Sequence, residues 1–132
     1  MRKIMMLMAI LFFASFVATA FADEGPLRFP MSEGSDASAH KHNEEGIDHY
    51  NQGHYDVALK HFSMASKIDP SVGEAHFNAA LSLHNMKKHG EATNHFYAAR
   101  KYSNGNEKIN NSALLNKHAP METGNSSMKE GS

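Results

Sequence analysis

The amino-acid sequence predicts an all-α fold in which antiparallel helical hairpins repeat along the chain. The main observation is a set of small and large apolar residues that recur 34 positions later. The recurring pairs are Ala58 and Ala92, Phe62 and Phe96, and Ala65 and Ala99. A repeat of this length is typical of stacked helix-turn-helix units. Apolar residues at helical spacing alternate with turn-forming residues, so we expect five helices.

The first unit contains two predicted helices, over about residues 41–52 and 56–68. Gly53 ends the first helix because glycine tolerates a positive φ angle. Asp56 is a suitable N-cap for the second helix. Pro70 stops that helix because the residue before a proline avoids helical geometry.

The second unit opens on a capping-box pattern, Ser71-x-x-Glu74. Its first helix is predicted to run from this capping box to about residue 87 and its second over about residues 90–102, and a closing helix follows over about residues 107–117. Small residues let neighbouring helices approach closely, while large apolar residues fill the remaining space. The residues predicted to set this repeat packing are Gly46, Ala58, Phe62, Ala65, Pro70, Ala80, Ala92, Phe96 and Ala99.

The N-terminal segment has the organisation of a secretory signal peptide. Arg2 and Lys3 precede an apolar run over residues 4–17, and a small-x-small pattern ends at Ala22. We therefore expect cleavage between Ala22 and Asp23. The protein would then be exported to a bacterial periplasm, or simply secreted. An uncleaved anchor is the alternative, although the run is short for a membrane span. After cleavage, no stable membrane anchor is expected.

Composition excludes several classes of function. The chain contains no cysteine, which excludes disulfides, thiolate metal sites, thiol nucleophiles and covalent haem attachment. Without residues 1–22, 11 basic residues face 14 acidic ones, so the charge balance does not suggest a nucleic-acid-binding protein. No G-x-S-x-G motif or glycine-rich phosphate loop occurs, and the acidic residues are scattered. We therefore predict neither an enzyme nor a bound cofactor.

These features divide the chain into four parts. Residues 1–22 form the signal peptide, and residues 23–39, rich in Gly, Pro, Ser and acidic residues, form a flexible segment. The helical domain covers residues 40–118, with repeat one at about 39–72, repeat two at about 73–106 and the closing helix at about 107–118. Residues 119–132 are polar and are predicted to be a disordered tail.

The helical domain resembles the tetratricopeptide repeat family, whose signature is W-x2-L-G-x2-Y, then A-x3-F, then P. The first unit has His42-x2-Glu45-Gly46-x2-His49, then Ala58-x3-Phe62, Ala65 and Pro70. The second unit has His76-x2-Ala79-Ala80-x2-Leu83, then Ala92-x3-Phe96 and Ala99. The second helices match well, whereas His42 and Glu45 stand where the family has large apolar residues. The resemblance covers about 80 of the 132 residues and implies a tetratricopeptide-like α-solenoid.

The resemblance also implies that the first helices line a concave groove for a protein or peptide partner. Its lining would be Asn43, Ile47, Tyr50, Asn51, Phe77, Asn78, Leu81, His84, Asn85, Lys108, Asn111 and Leu115. Amides can hydrogen-bond a peptide backbone, and apolar residues can seat side chains. Alternatively, Phe77 and Leu81 contact the neighbouring hairpin. The implied function is an exported interaction module, and having only two repeats also predicts self-association or partner-dependent stability.

Histidine is frequent, with ten residues in the chain. Imidazole is a common ligand of zinc, copper and nickel, so metal binding or metal handling is the alternative function. The candidates are His40 and His42, which form a local pair, and His84 and His118, which the repeat places in adjacent units. No short zinc motif is present, and exposed helix surface is the simpler interpretation.

Overall fold

The computed structural model describes residues 24–122 and shows, within that range, six α-helices and no β-strand. The helices are α1 (Ala37–Asn51), α2 (Tyr55–Ile68), α3 (Gly73–Asn85), α4 (His89–Lys101), α5 (Glu107–Asn110) and α6 (Ala113–His118). The all-α prediction is therefore confirmed. Within the same range, no helix is long and apolar enough to cross a membrane. The predicted signal peptide and residues 123–132 of the predicted tail lie outside the described residues.

Consecutive helices pack side by side as two hairpins. Helix α1 packs against α2, α2 against α3 and α3 against α4, so the second hairpin stacks on the first. Helices α5 and α6 close the far end by packing against α3 and α4. At the opposite end, within residues 24–122, no further hairpin covers α1 and α2.

The core consists of aromatic and small residues from both hairpins. Phe62 and Phe96 are fully buried, and the Phe96 ring meets Phe77 edge-on at 5.9 Å between centroids. Gly46 lets α1 approach α2 closely, because a Cβ atom there would lie only 2.5 Å from the Phe62 ring. Of the residues predicted to set the repeat packing, all except the exposed Pro70 are buried.

The two hairpin turns share a backbone conformation but not a residue type. Gly53 follows α1 with a φ angle of +78°, and Lys87, 34 positions later, follows α3 with a φ angle of +64°. A residue with a Cβ atom pays about 1–2 kcal/mol in this left-handed region, which glycine avoids. The second turn therefore carries strain that the first does not.

The predicted closing helix is instead two short helices, which makes six helices rather than five. Ser112 leaves helical geometry between them and is the N-cap of α6. Its hydroxyl oxygen accepts a hydrogen bond from Leu115 N at 2.9 Å. A serine side chain competes well for backbone donors, so a local cap replaces the continuous helix.

Two predicted helix starts are also wrong. The capping box does not form, because Val72 is the N-cap of α3 and the Ser71 hydroxyl donates to Asp69 Oδ1 instead. Asp56 is not an N-cap but lies inside α2, whose N-cap is His54. The first difference follows from the hydrogen bond between Ser71 and Asp69, whereas at the start of α2 no side chain caps the helix.

The segment predicted to be flexible, residues 23–39, behaves differently where it is described. Glu24, Leu27 and Phe29 contact the helices, and α1 begins at Ala37, earlier than predicted. Asp36 is the N-cap of α1 and accepts hydrogen bonds from the backbone of residues 38 and 39. Phe29 is buried in this segment. Its polar composition concealed contacts with partners that are distant in sequence.

Candidate functional site

An extended stretch of the chain, residues 24–30, crosses the surface formed by α1, α3 and the α5–α6 end; we call it the N-terminal strap. Its central residue, Leu27, is held by its backbone. Leu27 N donates to Asn78 Oδ1 at 2.6 Å. Leu27 O accepts from Asn78 Nδ2 at 2.8 Å and from Asn43 Nδ2 at 3.0 Å. Two side-chain amides thus satisfy both backbone groups of one residue.

Asn43 and Asn78 act as one unit across the two hairpins. Both are fully buried, and Asn78 Nδ2 also donates to Asn43 Oδ1 at 2.8 Å. A buried amide without partners is costly, so the strap and the amide pair stabilise each other. Because the contacts go to the backbone, they favour an extended chain without selecting its side chain at this position.

The two ends of the strap are anchored by other chemistry. The Glu24 carboxylate accepts hydrogen bonds from Ala113 N at 2.6 Å and from the Ser112 hydroxyl. At the other end, Arg28 forms an exposed ion pair with Glu44. Phe29 is buried and meets the ring of His40 edge-on, with the ring centroids 5.4 Å apart.

Ten of the twelve predicted groove residues fall into three groups. Asn43 and Asn78 contact the strap, as described. Buried in the hydrophobic core are Ile47, Phe77, Leu81 and Leu115. Exposed to solvent are Asn51, Asn85, Lys108 and Asn111. Phe77 and Leu81 therefore follow the alternative interpretation, in which they pack inside the domain, although the partly buried Leu27 packs on the same cluster.

The remaining two predicted groove residues are Tyr50 and His84, which occupy equivalent positions 34 residues apart. Asn85 Nδ2 donates to Tyr50 Oη at 2.8 Å and so links the hairpins at their turn end. The Tyr50 ring meets Tyr55 at 5.0 Å, and the His84 ring meets His89 in a similar edge contact at 4.9 Å. The second hairpin thus has histidines where the first has tyrosines.

His84, His89 and His118 form a cluster between the second hairpin and α6. One ring nitrogen of each lies within 4.8 Å of the others, and His84 Nδ1 is 3.2 Å from His118 Nε2. Thr93 Oγ1 donates to the His89 carbonyl, so its oxygen accepts from His118 Nδ1 at 3.2 Å. In the neutral ring this leaves the lone pair of His118 on Nε2, which faces His84 Nδ1. The His118 ring also stacks on Phe96.

Two members of this cluster, His84 and His118, have a lowered pKa. Burial lowers the pKa of His84, and the nearby His118, His89, Lys87 and Lys117 lower it further. Burial also lowers the pKa of His118, with further contributions from His89 and Lys117. Desolvation and nearby positive charges therefore both disfavour protonation of His84 and His118.

A second cluster joins α1 to α2 at the open end of the stack: His42, Glu45 and His61, which we call the α1–α2 triad. Glu45 Oε2 lies 3.3 Å from His42 Nδ1 and 3.2 Å from His61 Nδ1. The two Nδ1 atoms are 3.4 Å apart. His49 stacks on His61 with an interplanar angle of 9°. Three ligand-type atoms therefore converge on one point.

The equivalent place in the second hairpin has the histidines without the carboxylate. His76 and His95 lie 34 positions after His42 and His61, and their ring centroids are 5.9 Å apart. Ala79 replaces Glu45 there and is fully buried. Burial, and secondarily His76, lower the pKa of His95, while Glu91 opposes that shift.

The sequence-predicted metal candidates are only partly brought together. His84 and His118 are neighbours, whereas His40 turns toward Phe29 and His42 joins His61. The pattern search missed Glu45, His61 and His89. The 34-residue spacing contained a usable signal for His61, because it aligns His42 with His76 and His61 with His95.

Comparisons of the chain with protein-family models, with curated proteins and with solved structures gave no match.

Proposed function

We propose that the protein is an exported, tetratricopeptide-type interaction module that binds an extended segment of a protein or peptide partner. The observation that carries this proposal is the backbone hydrogen bonding of Leu27 by Asn43 and Asn78. The surface of α1 and α3 holds a peptide in the extended form, and in the free protein that peptide is the N-terminal strap.

The geometry supports recognition of peptide rather than of a small molecule. The amide pair provides donors and an acceptor for one backbone unit, and Phe29 fills a buried position two residues later. The Leu27 side chain also packs on the core cluster that contains Phe77 and Leu81, so the positions of Leu27 and Phe29 together form a minimal sequence preference. A partner segment with apolar residues at this spacing would reproduce both contacts.

Several features support the remaining parts of the proposal. The 34-residue repeat, the stacked hairpins and the buried small residues agree with a tetratricopeptide-type solenoid. The signal-peptide pattern supports export, and a periplasm or cell envelope is the proposed location. The protein acts as a scaffold or adaptor without catalysis of its own.

The strap is expected to compete with a partner. A tethered segment acts at an effective concentration of about the millimolar range, so it excludes weak partners and yields to tight ones. Replacing Leu27 with proline removes the N–H that bonds Asn78, and replacing Phe29 with alanine removes the buried anchor. The double variant, Leu27→Pro with Phe29→Ala, leaves Asn43 and Asn78 unchanged.

Binding of a labelled synthetic peptide of residues 23–31 to this released variant tests the proposal by fluorescence anisotropy. We expect saturable binding that is at least about tenfold tighter than to the wild-type protein, whose own strap competes. Asn78→Ala in the released background should abolish binding, while Asn94→Ala, on the exposed face of α4, should not. Affinity capture of partners from an envelope fraction then uses the released variant with and without the Asn78→Ala change.

The proposal is wrong if the released variant keeps its helical circular dichroism but does not bind the peptide. It is also wrong if a peptide carrying the Leu27→Pro change binds equally well, because that result would show that the backbone contacts do not contribute.

A further inference from the structure

The α1–α2 triad has dimensions that match a metal-ion site. The three contacts among His42 Nδ1, Glu45 Oε2 and His61 Nδ1 measure 3.3, 3.2 and 3.4 Å. In a tetrahedral zinc site with bonds of about 2.0–2.1 Å, neighbouring ligand atoms lie about 3.3–3.4 Å apart. Octahedral geometry at the same bond length would place them about 2.9 Å apart. The observed triangle therefore fits tetrahedral coordination with one position left open.

The chemistry of the three groups also fits a zinc-type ion. Two imidazoles and one carboxylate are ligands that Zn²⁺ accepts in proteins. The carboxylate offsets one of the two positive charges, which the His84–His89–His118 cluster does not do. That cluster also lies near two lysines, Lys87 and Lys117, whose charges oppose a cation, whereas the triad has one nearby lysine, Lys41.

The place of Glu45 in the fold points to a role other than packing. Its counterpart Ala79 is fully buried and belongs to a core cluster with Ile47, Ala58 and Phe62 of the first hairpin. Within residues 24–122 no hairpin precedes α1, so Glu45 has no such surface to cover. Its side chain is 38 % exposed, and those of His42 and His61 are 26 % and 24 % exposed. The group is held in place yet reachable from solvent.

The residues that contact the triad leave its three ligand atoms free to bind an ion. Lys41 Nζ lies 3.9 Å from the other carboxylate oxygen, Glu45 Oε1, while Oε2 faces the two histidines. His49 stacks on the His61 ring and restricts its orientation. Without an ion, Oε2 can accept hydrogen bonds from both Nδ1–H groups. Binding an ion requires each neutral imidazole only to carry its proton on Nε2 instead.

We propose that His42, Glu45 and His61 form a tetrahedral binding site for Zn²⁺, with the fourth position open to water or to a side chain of another protein. This site is separate from the strap-binding surface and does not depend on it. It gives the first hairpin a second binding function at the end of the stack.

Calorimetric titration of the purified protein with Zn²⁺ tests the site, together with Co²⁺ as a spectroscopic probe. We expect a high-affinity equivalent of Zn²⁺ and, with Co²⁺, the intense visible absorption of tetrahedral coordination. Glu45→Ala and His61→Ala should each weaken Zn²⁺ binding at least about 100-fold, more than the roughly 10–100-fold typical of losing a supporting residue. Glu45→Gln, which keeps the side-chain size, should behave like Glu45→Ala.

His95→Ala is the matched control, because it removes the equivalent histidine of the second hairpin and should leave Zn²⁺ affinity unchanged. The proposal is overturned if Zn²⁺ does not bind, or if Co²⁺ shows only weak octahedral absorption. It is equally overturned if Glu45→Ala and His61→Ala bind normally while His84→Ala does not, since the ion would then occupy the other cluster. Circular dichroism of each variant shows that a lost site is not lost folding.

Discussion

The two hairpins have the same offsets between their histidines but differ at one equivalent position, which is buried in the second hairpin and partly exposed in the first. In the second hairpin, position 79 is an alanine buried against the first hairpin. In the first hairpin, position 45 is a glutamate that faces the open end of the stack and meets two histidines. Stacking order, rather than local sequence, decides which copy of a repeat position packs and which remains free for chemistry.

The largest expected effect comes from exchanging the residue types at positions 45 and 79. Ala79→Glu places a carboxylate among apolar residues, and we expect the free energy of unfolding to fall by more than about 3 kcal/mol. Glu45→Ala should change it by no more than about 0.5 kcal/mol, because the site is at the surface. Urea denaturation of both variants measures the difference. Equal effects would show that the two positions are not distinguished by stacking.

The close approach of α1 to α2 offers a second test. Gly46→Ala puts a Cβ atom 2.5 Å from the Phe62 ring, and relieving that overlap should cost about 1–3 kcal/mol. The matched change Gly90→Ala meets no atom within 4 Å and should stabilise α4 by up to about 1 kcal/mol. Thermal melting measures both effects. The expectation is wrong if the two substitutions shift the melting temperature in the same direction.

The hairpin turns give a smaller contrast. Lys87→Gly removes the left-handed strain and should raise the free energy of unfolding by about 0.5–1 kcal/mol. The reverse change, Gly53→Lys, should lower it by about 1–2 kcal/mol. Chemical denaturation above about pH 7.5 and without added metal limits the contribution of His84, whose pKa Lys87 lowers. A destabilised Lys87→Gly protein would mean that the lysine contributes an interaction larger than its strain.

The pH dependence of stability is the most subtle test. His84, His95 and His118 have pKa values below about 6.5, the usual value in an unfolded chain. The unfolded chain therefore binds more protons as pH falls below 6.5, so the stability these groups contribute is full above that pH and is lost below it. We expect the melting temperature to fall between pH 7.5 and pH 5.5. His95→Gln should flatten that slope.

Local pattern was sufficient for the helices because their determinants are close in sequence. The small-large-small spacing around Phe62 and Phe96 located the second helices, and Gly53 marked a turn where the structure has a positive φ angle. The break at Ser112 was missed because a serine inside an apolar helical pattern gives no local sign of becoming an N-cap.

The strap and the triad depend on long-range contacts that no local pattern reports. Leu27 bonds residues 16 and 51 positions away, so a Gly- and Pro-rich composition is compatible with either a free or a bound segment. Glu45 was noted only as a departure from an apolar pattern. Its meaning required knowing that α2 brings His61 against α1.

The anchoring of Glu24 at the start of α6 has a consequence for the order of folding. Its partner Ala113 is 89 residues away, and Leu27 needs one asparagine from each hairpin. Closing so long a loop has an entropic cost, which the contacts of a preformed binding surface offset. The first residues of the domain to be synthesised are thus the last to find their place, and hydrogen exchange should show the strap opening before either hairpin does.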